Sequence, residues 1–249
     1  MFQKEKVENR VFGYIDILGF TAELEKRGQE PDYLERVVTS LLGGKSPSPE
    51  LQSYIAANDS LNDLLDEAAS EIQLTSFSDT TVISVAGRDR ADEVIALVTD
   101  LCLVLLENDF FVRGGIDYGI GYHRDGIVIG PGMLNAYYLE SQSAVYPRVL
   151  VQDDLALDLR SSYTNEANPI ASILRDSGDH LFYIDLFATL AMRRNGRARF
   201  EELRPRIEGR LKDSAGRVKY LARWRWVAAA FNRVAVNLHP PCDEIKLGT

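Results

Sequence analysis

Two aspartates stand where β-prone apolar runs would otherwise be continuous. They are Asp16 in Tyr14-Ile15-Asp16-Ile17-Leu18-Gly19-Phe20-Thr21 and Asp79 in Thr75-Ser76-Phe77-Ser78-Asp79-Thr80-Thr81-Val82-Ile83-Ser84. An unpaired charge is costly to bury, so a carboxylate in such a run needs a partner. Two of them, each at a strand edge, make a clamp for hard divalent cations, which take oxygen ligands. Aspartate is also a common turn and helix N-cap residue, and either one taken alone fits that reading as well. The residues after Asp16 shift the balance. Gly19 permits a tight backbone path, and a stretch rich in Glu, Lys and Leu begins directly after it. The amides of a helix start there can face a phosphate. A carboxylate beside such amides repels an anion unless a metal lies between them, which suits Mg²⁺ or Mn²⁺ carrying a nucleoside triphosphate.

The elements that must position these residues can be read from the pattern. Val11 to Leu18 reads as a strand, Phe20 to about Leu42 as a helix, and Gly43 to Pro49 as its break. Ser60 to Ala69 reads as a short helix or loop. Glu71–Phe77 and Thr81–Ala86 form a hairpin turning at Ser78-Asp79-Thr80. Asp89 to Glu107 is a helix with Ile95, Val98, Leu101, Cys102 and Leu105 on one stripe. Phe110–Gly121 and Gly126–Gly130 read as a second hairpin across Tyr122 to Asp125, with His123 exposed in its turn. Pro131 opens a helix to about Ser143. Pro147–Val151 and Leu181–Asp185 are short strands. This order predicts an α+β fold, a ferredoxin-like sandwich with helices over a largely antiparallel sheet. Residues 1–190 would form the α+β domain and 191–249 a helical extension packed on it.

Composition sets the bounds. The 249 residues carry a formal net charge of −9, with 45% hydrophobic and 26% charged residues. This is the composition of an ordinary globular protein with ample material for a core. The negative balance argues against non-specific nucleic-acid binding, since no excess cation can release phosphate counterions. Cys102 and Cys242 sit in unlike settings and read as reduced thiols of a cytoplasmic protein. His123, His180 and His239 have no zinc-ligand spacing. No apolar run approaches the roughly 20 residues needed to span a bilayer, and the N-terminus lacks a signal-peptide core.

Tyr14 to Thr21 resembles the first metal motif of class III nucleotide cyclases, apolar-x-Asp-Ile-x-Gly-Phe-Thr/Ser. The sequence distance to the hairpin aspartate Asp79 fits as well. Within that superfamily four blocks in order are similar to the bacterial pyrimidine cyclases of the Pycsar antiphage system. These are Ser78-Asp79-Thr80, Arg113-Gly114-Gly115-Ile116, Gly130 to Glu140, and Tyr146-Pro147-Arg148. The resemblance covers most of Val11 to Val151. It implies cyclisation of a nucleoside triphosphate on two divalent ions, Mn²⁺ or Mg²⁺, bridged by Asp16 and Asp79 with the main-chain oxygen of Ile17 as a further ligand. Gly19 and the amides of Phe20 and Thr21 would face the triphosphate. It also implies a homodimer with sites at the subunit interface, UTP or CTP as substrate, and a cyclic product that activates a separate effector protein. No nucleic acid or membrane is expected as a partner.

The departures from purine cyclases are specific. Their base-reading Lys or Glu, four residues before the second aspartate, falls on Thr75, and a second polar reader falls on Ile127. A pocket without both is not built for the purine edge. Their transition-state Asn and Arg fall on Leu134 and Tyr138, or in the adjacent frame on Asn135 and Leu139, so the arginine is missing either way. Arg113 or Arg148 can supply that charge, or each can be an ordinary salt-bridge residue. Trp224, Trp226, Tyr220 and Phe231 read as packing or dimer contacts, and the arginines from Arg193 to Arg225 as a solvated helical face. The preferred product is 3′,5′-cyclic UMP. The alternatives are a cytidylate cyclase, an adenylyl cyclase, or an inactive cyclase-like nucleotide sensor.

Overall fold

The structure, a computed structural model, describes residues 7–43, 72–162, 172–178 and 181–247. The stretch read as a helix or loop at Ser60–Ala69 lies outside these residues. The fold is α+β: an antiparallel-dominated sheet carrying helices. Its strands are β1 (Glu8–Ile17), β2 (Gln73–Phe77), β3 (Thr80–Ala86), β4 (Val112–Arg124), β5 (Ile127–Ile129), β6 (Val149–Val151), β7 (Leu174–Asp176) and β8 (Phe182–Ile184). They lie in the order β2-β3-β1-β4-β6-β8-β7, with β5 paired to β4. The β4–β6 pair is parallel, while the other pairs run antiparallel.

β1 has core on both sides, as its near-continuous apolar sequence requires. Val11, Ile15 and Ile17 point into the main core against α3 (Ala91–Glu107), while Phe12 and Tyr14 point to the other face. There α4 (Pro131–Tyr138) lies across the sheet, continued by a π-turn at Leu139–Ser143. Close approach is possible because β4 is glycine-rich. A Cβ on Gly115 would stand 2.2 Å from the Ala136 carbonyl oxygen, and one on Gly119 would stand 2.9 Å from the Gly132 Cα.

The stretch predicted as one helix from Phe20 forms two, α1 (Phe20–Arg27) and α2 (Pro31–Gly43). Gly28 ends the first, and Pro31 opens the second where a missing N–H costs nothing. The second hairpin turns later than expected. β4 runs to Arg124, and Asp125 and Gly126 both take positive φ, the geometry of a tight two-residue turn. The stripe expected on α3 is fully buried, but so is its opposite side: Leu103 and Leu106 belong to a second core. After α5 (Asp153–Ser162), that core is built by α6 (Leu186–Met192), α7 (Gly196–Asp213) and α8 (Val218–Ala235). The arginines of this region are not a uniformly solvated face. Arg193 pairs with the buried Asp100, Arg206 donates to the Glu107 carbonyl at 2.7 Å, and Arg210 bridges Asp109 at 3.1 Å and Glu23 at 3.4 Å. Trp224 packs edge-on against Phe111 with centroids 4.7 Å apart, while Tyr220 is half exposed. Among the described residues no helix is long and apolar enough to cross a membrane.

Candidate active site

Sheet register brings the two aspartates together. Asp16, the penultimate residue of β1, is opposite Thr80 on β3 and Arg113 on β4. Asp79 sits in the β2–β3 turn, where Ser78 adopts a left-handed conformation at φ 56°. The Ile17 N–H donates to the Asp79 carbonyl at 3.1 Å, so the turn is pinned against the end of β1. The chain then leaves β1 through Gly19, whose φ of 75° is left-handed. Phe20 anchors α1 in the core while Thr21 is exposed. Gly19, Phe20 and Thr21 thus lie at the open end of the sheet beside Asp16.

Arg113 is the cation of this cluster. Its guanidinium lies 3.6 Å from Asp16 Oδ2 and 2.6 Å from Glu140 Oε1. Glu140 comes from the π-turn and is buried, and burial pushes its carboxyl above the ordinary range. Asp16 is pushed up to about 6, first by desolvation and then by the neighbouring charge of Asp79, against the lowering effect of Arg113. Two carboxylates therefore share one guanidinium, the charge of Asp79 acts on both of them, and negative charge remains in excess. The donor set is open: two carboxylates at a strand end with the Ile17 main-chain oxygen nearby. Hard cations such as Mg²⁺ suit such a set, because they keep water and phosphate oxygens in the remaining positions. Among the described residues no group of three or more His, Cys, Asp or Glu side chains is placed to hold a metal by itself. The residues fit a divalent ion that arrives with a phosphate ligand. Among the described residues, the Arg113 Nε is buried without a hydrogen-bond partner, a donor left for an incoming oxygen.

The other candidates fall at defined distances from this pair. Arg148 is adjacent to Arg113 across the parallel β4–β6 pairing, yet its guanidinium is buried among Tyr146, Tyr183 and Trp226, about 6 Å from each ring centroid. Asn135 hydrogen-bonds Asp117, four residues along β4 from Arg113 and roughly 13 Å away at strand rise. One protomer does not bring Asn135 to the carboxylates. Thr75 donates to or accepts from His123 Nε2 at 2.9 Å, and Ser84 meets the other ring nitrogen at 2.8 Å. His123 is therefore not an exposed turn residue as expected but 3% exposed, because β4 extends past it and folds its ring beside Phe12. Burial, with Arg10 nearby, lowers its pKa to about 4. Glu140 is the member of the cluster that sequence reasoning missed. Its only signal there is its place at the end of the Gly130–Glu140 block.

No protein-family model matches the sequence, and no curated protein matches it. Among solved structures the chain is similar to the adenylyl cyclase CyaB from P. aeruginosa, at 14% identity over 73% of this chain and 96% of that one, TM-score 0.46. It is similar to the catalytic core of a rhodopsin-guanylyl cyclase with converted specificity, in complex with ATPαS, at 12% identity over 73% and 98% of the two chains, TM-score 0.46. It is also similar to a class III adenylyl cyclase-like ATP-binding protein from Pseudomonas aeruginosa, at 13% identity over 88% and 43%, TM-score 0.40. Likenesses this distant assign no role to any residue.

Proposed function

We propose that this chain is a metal-dependent nucleotide cyclase that converts UTP to 3′,5′-cyclic UMP and pyrophosphate. The observation that carries the reading is the Asp16–Asp79 pair, held at one strand end with excess negative charge and flanked by Arg113. The resemblance of the four sequence blocks to Pycsar pyrimidine cyclases supports the substrate class, as does Thr75 in place of a charged base reader.

In this reading the 3′-oxygen of the nucleotide bonds to its own α-phosphorus while the bond from that phosphorus to the bridging oxygen breaks. Pyrophosphate leaves and the hydroxyl proton passes to solvent. Divalent ions bound by Asp16, Asp79 and the Ile17 oxygen would supply charge to both the attacking and the leaving oxygens. Arg113, steadied by Glu140, faces the negative charge that develops at phosphorus. The amides at Gly19, Phe20 and Thr21 orient the phosphates. Arg148, the alternative candidate for that charge, is held among aromatic rings on the next strand, which leaves the role to Arg113 in this reading. Asn135, remote from the carboxylates of its own chain, would serve the site of a second copy, which makes a homodimer part of the reading. Residues 191–249 are proposed as a helical extension of the same domain, and the protein as a cytoplasmic one in antiphage defence whose product activates a separate effector.

The deciding experiment incubates the purified protein with ATP, GTP, CTP and UTP and Mn²⁺ and resolves products by mass. Cyclic UMP is expected. Cyclic CMP keeps the pyrimidine assignment and changes the base, and cyclic AMP removes it. The exposed apolar residues Leu134 and Tyr138, where the transition-state pair would stand, favour a second reading as an inactive nucleotide sensor. Nucleotide binding without any product would select that reading.

A further inference from the structure

Arg10, Ser84, His123 and Thr75 form one hydrogen-bonded row on the face of the sheet that carries Asp16. Arg10 Nε donates to Ser84 Oγ at 3.0 Å, Ser84 Oγ meets His123 Nδ1 at 2.8 Å, and His123 Nε2 meets Thr75 Oγ1 at 2.9 Å. The donors alone fix its direction. A guanidinium N–H only donates, so Ser84 Oγ accepts from Arg10. Ser84 is fully buried, and among the described residues His123 Nδ1 is the one acceptor for its hydroxyl hydrogen. Burial, with Arg10 nearby, lowers the imidazole pKa to about 4, so at neutral pH the ring carries one hydrogen. With Nδ1 accepting, that hydrogen is on Nε2 and is donated to Thr75 Oγ1. Phe12, its ring centroid 6.5 Å from that of the imidazole and its plane 17° away, holds the ring in this setting. Thr75 has therefore accepted from inside the protein. Among the described residues its own hydrogen meets no acceptor, and the side chain is half-buried, so that hydrogen is left for a ligand.

We propose that Thr75 is a fixed hydroxyl donor to the O4 oxygen of uracil, and that His123 is the positioning residue that makes the site choose UTP over CTP. The inference rests on the reading above, in which the triphosphate is held at Asp16 and Asp79. Thr75 pairs with Val82 and Val82 with Tyr14, two residues before Asp16, so Thr75 and Asp16 share a face. Two strand spacings and one side-chain repeat separate them, about 12 Å, a span comparable to that of a nucleotide from phosphate to base edge. Tyr14, with Tyr137 edge-on at 5.4 Å, lies between them and offers the base a ring. C4 of a pyrimidine stands opposite the nitrogen that carries the sugar, so its substituent is the far end of the base. Uracil has an acceptor there and cytosine an amino donor. A hydroxyl already accepting from His123 keeps its hydrogen outward, so cytosine sets two donors against each other. The relay lies within one chain, and the direction is the same for a base presented by a second copy.

The test is calorimetric titration of the whole protein, with Mn²⁺, by the α,β-methylene analogues of UTP and CTP, which bind without releasing pyrophosphate. Wild-type protein should prefer the uridine analogue about tenfold to a hundredfold, the scale of one unmade hydrogen bond. Thr75→Val, which keeps the shape and removes the hydroxyl, should bring the two affinities together, chiefly by weakening the uridine analogue. His123→Leu should do the same with Thr75 in place, because the freed hydroxyl turns to either base. Thr75→Ser should keep the preference, as should His123→Gln, whose amide N–H can stand where Nε2–H does. Equal affinities in wild type, or a cytidine preference, overturn the proposal. So does a uridine preference that Thr75→Val or His123→Leu leaves unchanged while weakening both analogues alike, the mark of a merely structural role. Because turnover is not read, failure here and failure of the cyclase reading differ. Equal affinities beside a cyclic product leave a cyclase without this selector, and a Thr75-dependent uridine preference without product leaves the selector in a sensor. Binding of neither analogue removes both.

Discussion

Asp16 is held in a state that folding alone does not favour. Its carboxyl titrates near 6 instead of 3.8, so the ionised form is disfavoured by the folded environment. The cost is absent below the unfolded pKa, grows as pH rises through this window, and is fully present above about 6. Asp16→Asn should therefore stabilise the metal-free protein at pH 7, by on the order of 1–2 kcal/mol, while abolishing Mn²⁺ binding and turnover. Thermal melts with and without Mn²⁺, beside a product assay, check this, and a destabilised metal-free variant would count against the crowded-carboxylate account. His123 has the opposite dependence. With a folded pKa of about 4 against 6.5 unfolded, its contribution is complete above pH 6.5 and is lost as pH falls toward 4. The loss is on the order of 3 kcal/mol, and His123→Gln should flatten urea midpoints across that interval. The aspartates were legible because a charge in an apolar strand is anomalous. Glu140 and His123 were not: an acid in a helical stretch is ordinary, and the histidine's partners lie 39 and 48 residues away in sequence.

At the scale of elements, the Arg113-Gly114-Gly115 run serves chemistry and packing in consecutive positions. Arg113 faces the carboxylates, a Cβ on Gly114 would meet Ile15 in the main core, and Gly115 lies beneath α4. Gly115→Ala must push α4 and the π-turn off the sheet, because the obstructing atom is a backbone carbonyl 2.2 Å away. A loss of about 2–3 kcal/mol is expected, with Glu140 displaced from Arg113, and denaturant titration measures it. A cost below about 0.5 kcal/mol, the scale of an inconsequential substitution, would mean that α4 is free to shift. The two hairpins and α3 could be read from alternation and helical period. β7 could not, since Leu174-Arg175-Asp176 has no pattern of its own and is a strand only because β8 offers an edge. The break between α1 and α2 carried its own marks in Gly28 and Pro31, and the helix-forming residues on both sides outweighed them in the reading.

At the scale of the molecule, the second core ties the C-terminal helices to the sheet. Leu103, Leu106 and Phe111 share it with Trp224, Val227 and Phe231. A chain ending at residue 190 would expose that apolar face, so it should aggregate or expand relative to the full chain. Light scattering and near-UV circular dichroism would show this, and a native-like truncated chain would mean that the first 190 residues fold alone. Sequence periodicity marked the extension as helical but could not show what it covers, because its contacts are long-range. One of those contacts reaches the loop after Asp16. Arg210 on α7 holds both Glu23 on α1 and Asp109 before β4, all three side chains about one-third exposed. Such half-solvated pairs are screened by salt over a Debye length of about 8 Å at physiological ionic strength and about 3 Å at 1 M. The phosphate-facing turn at Gly19 is therefore fastened by a clasp that electrolyte can loosen, and hydrogen exchange at α1 should quicken between 0.1 and 1 M KCl, roughly a tenfold change in salt, while the sheet amides stay protected.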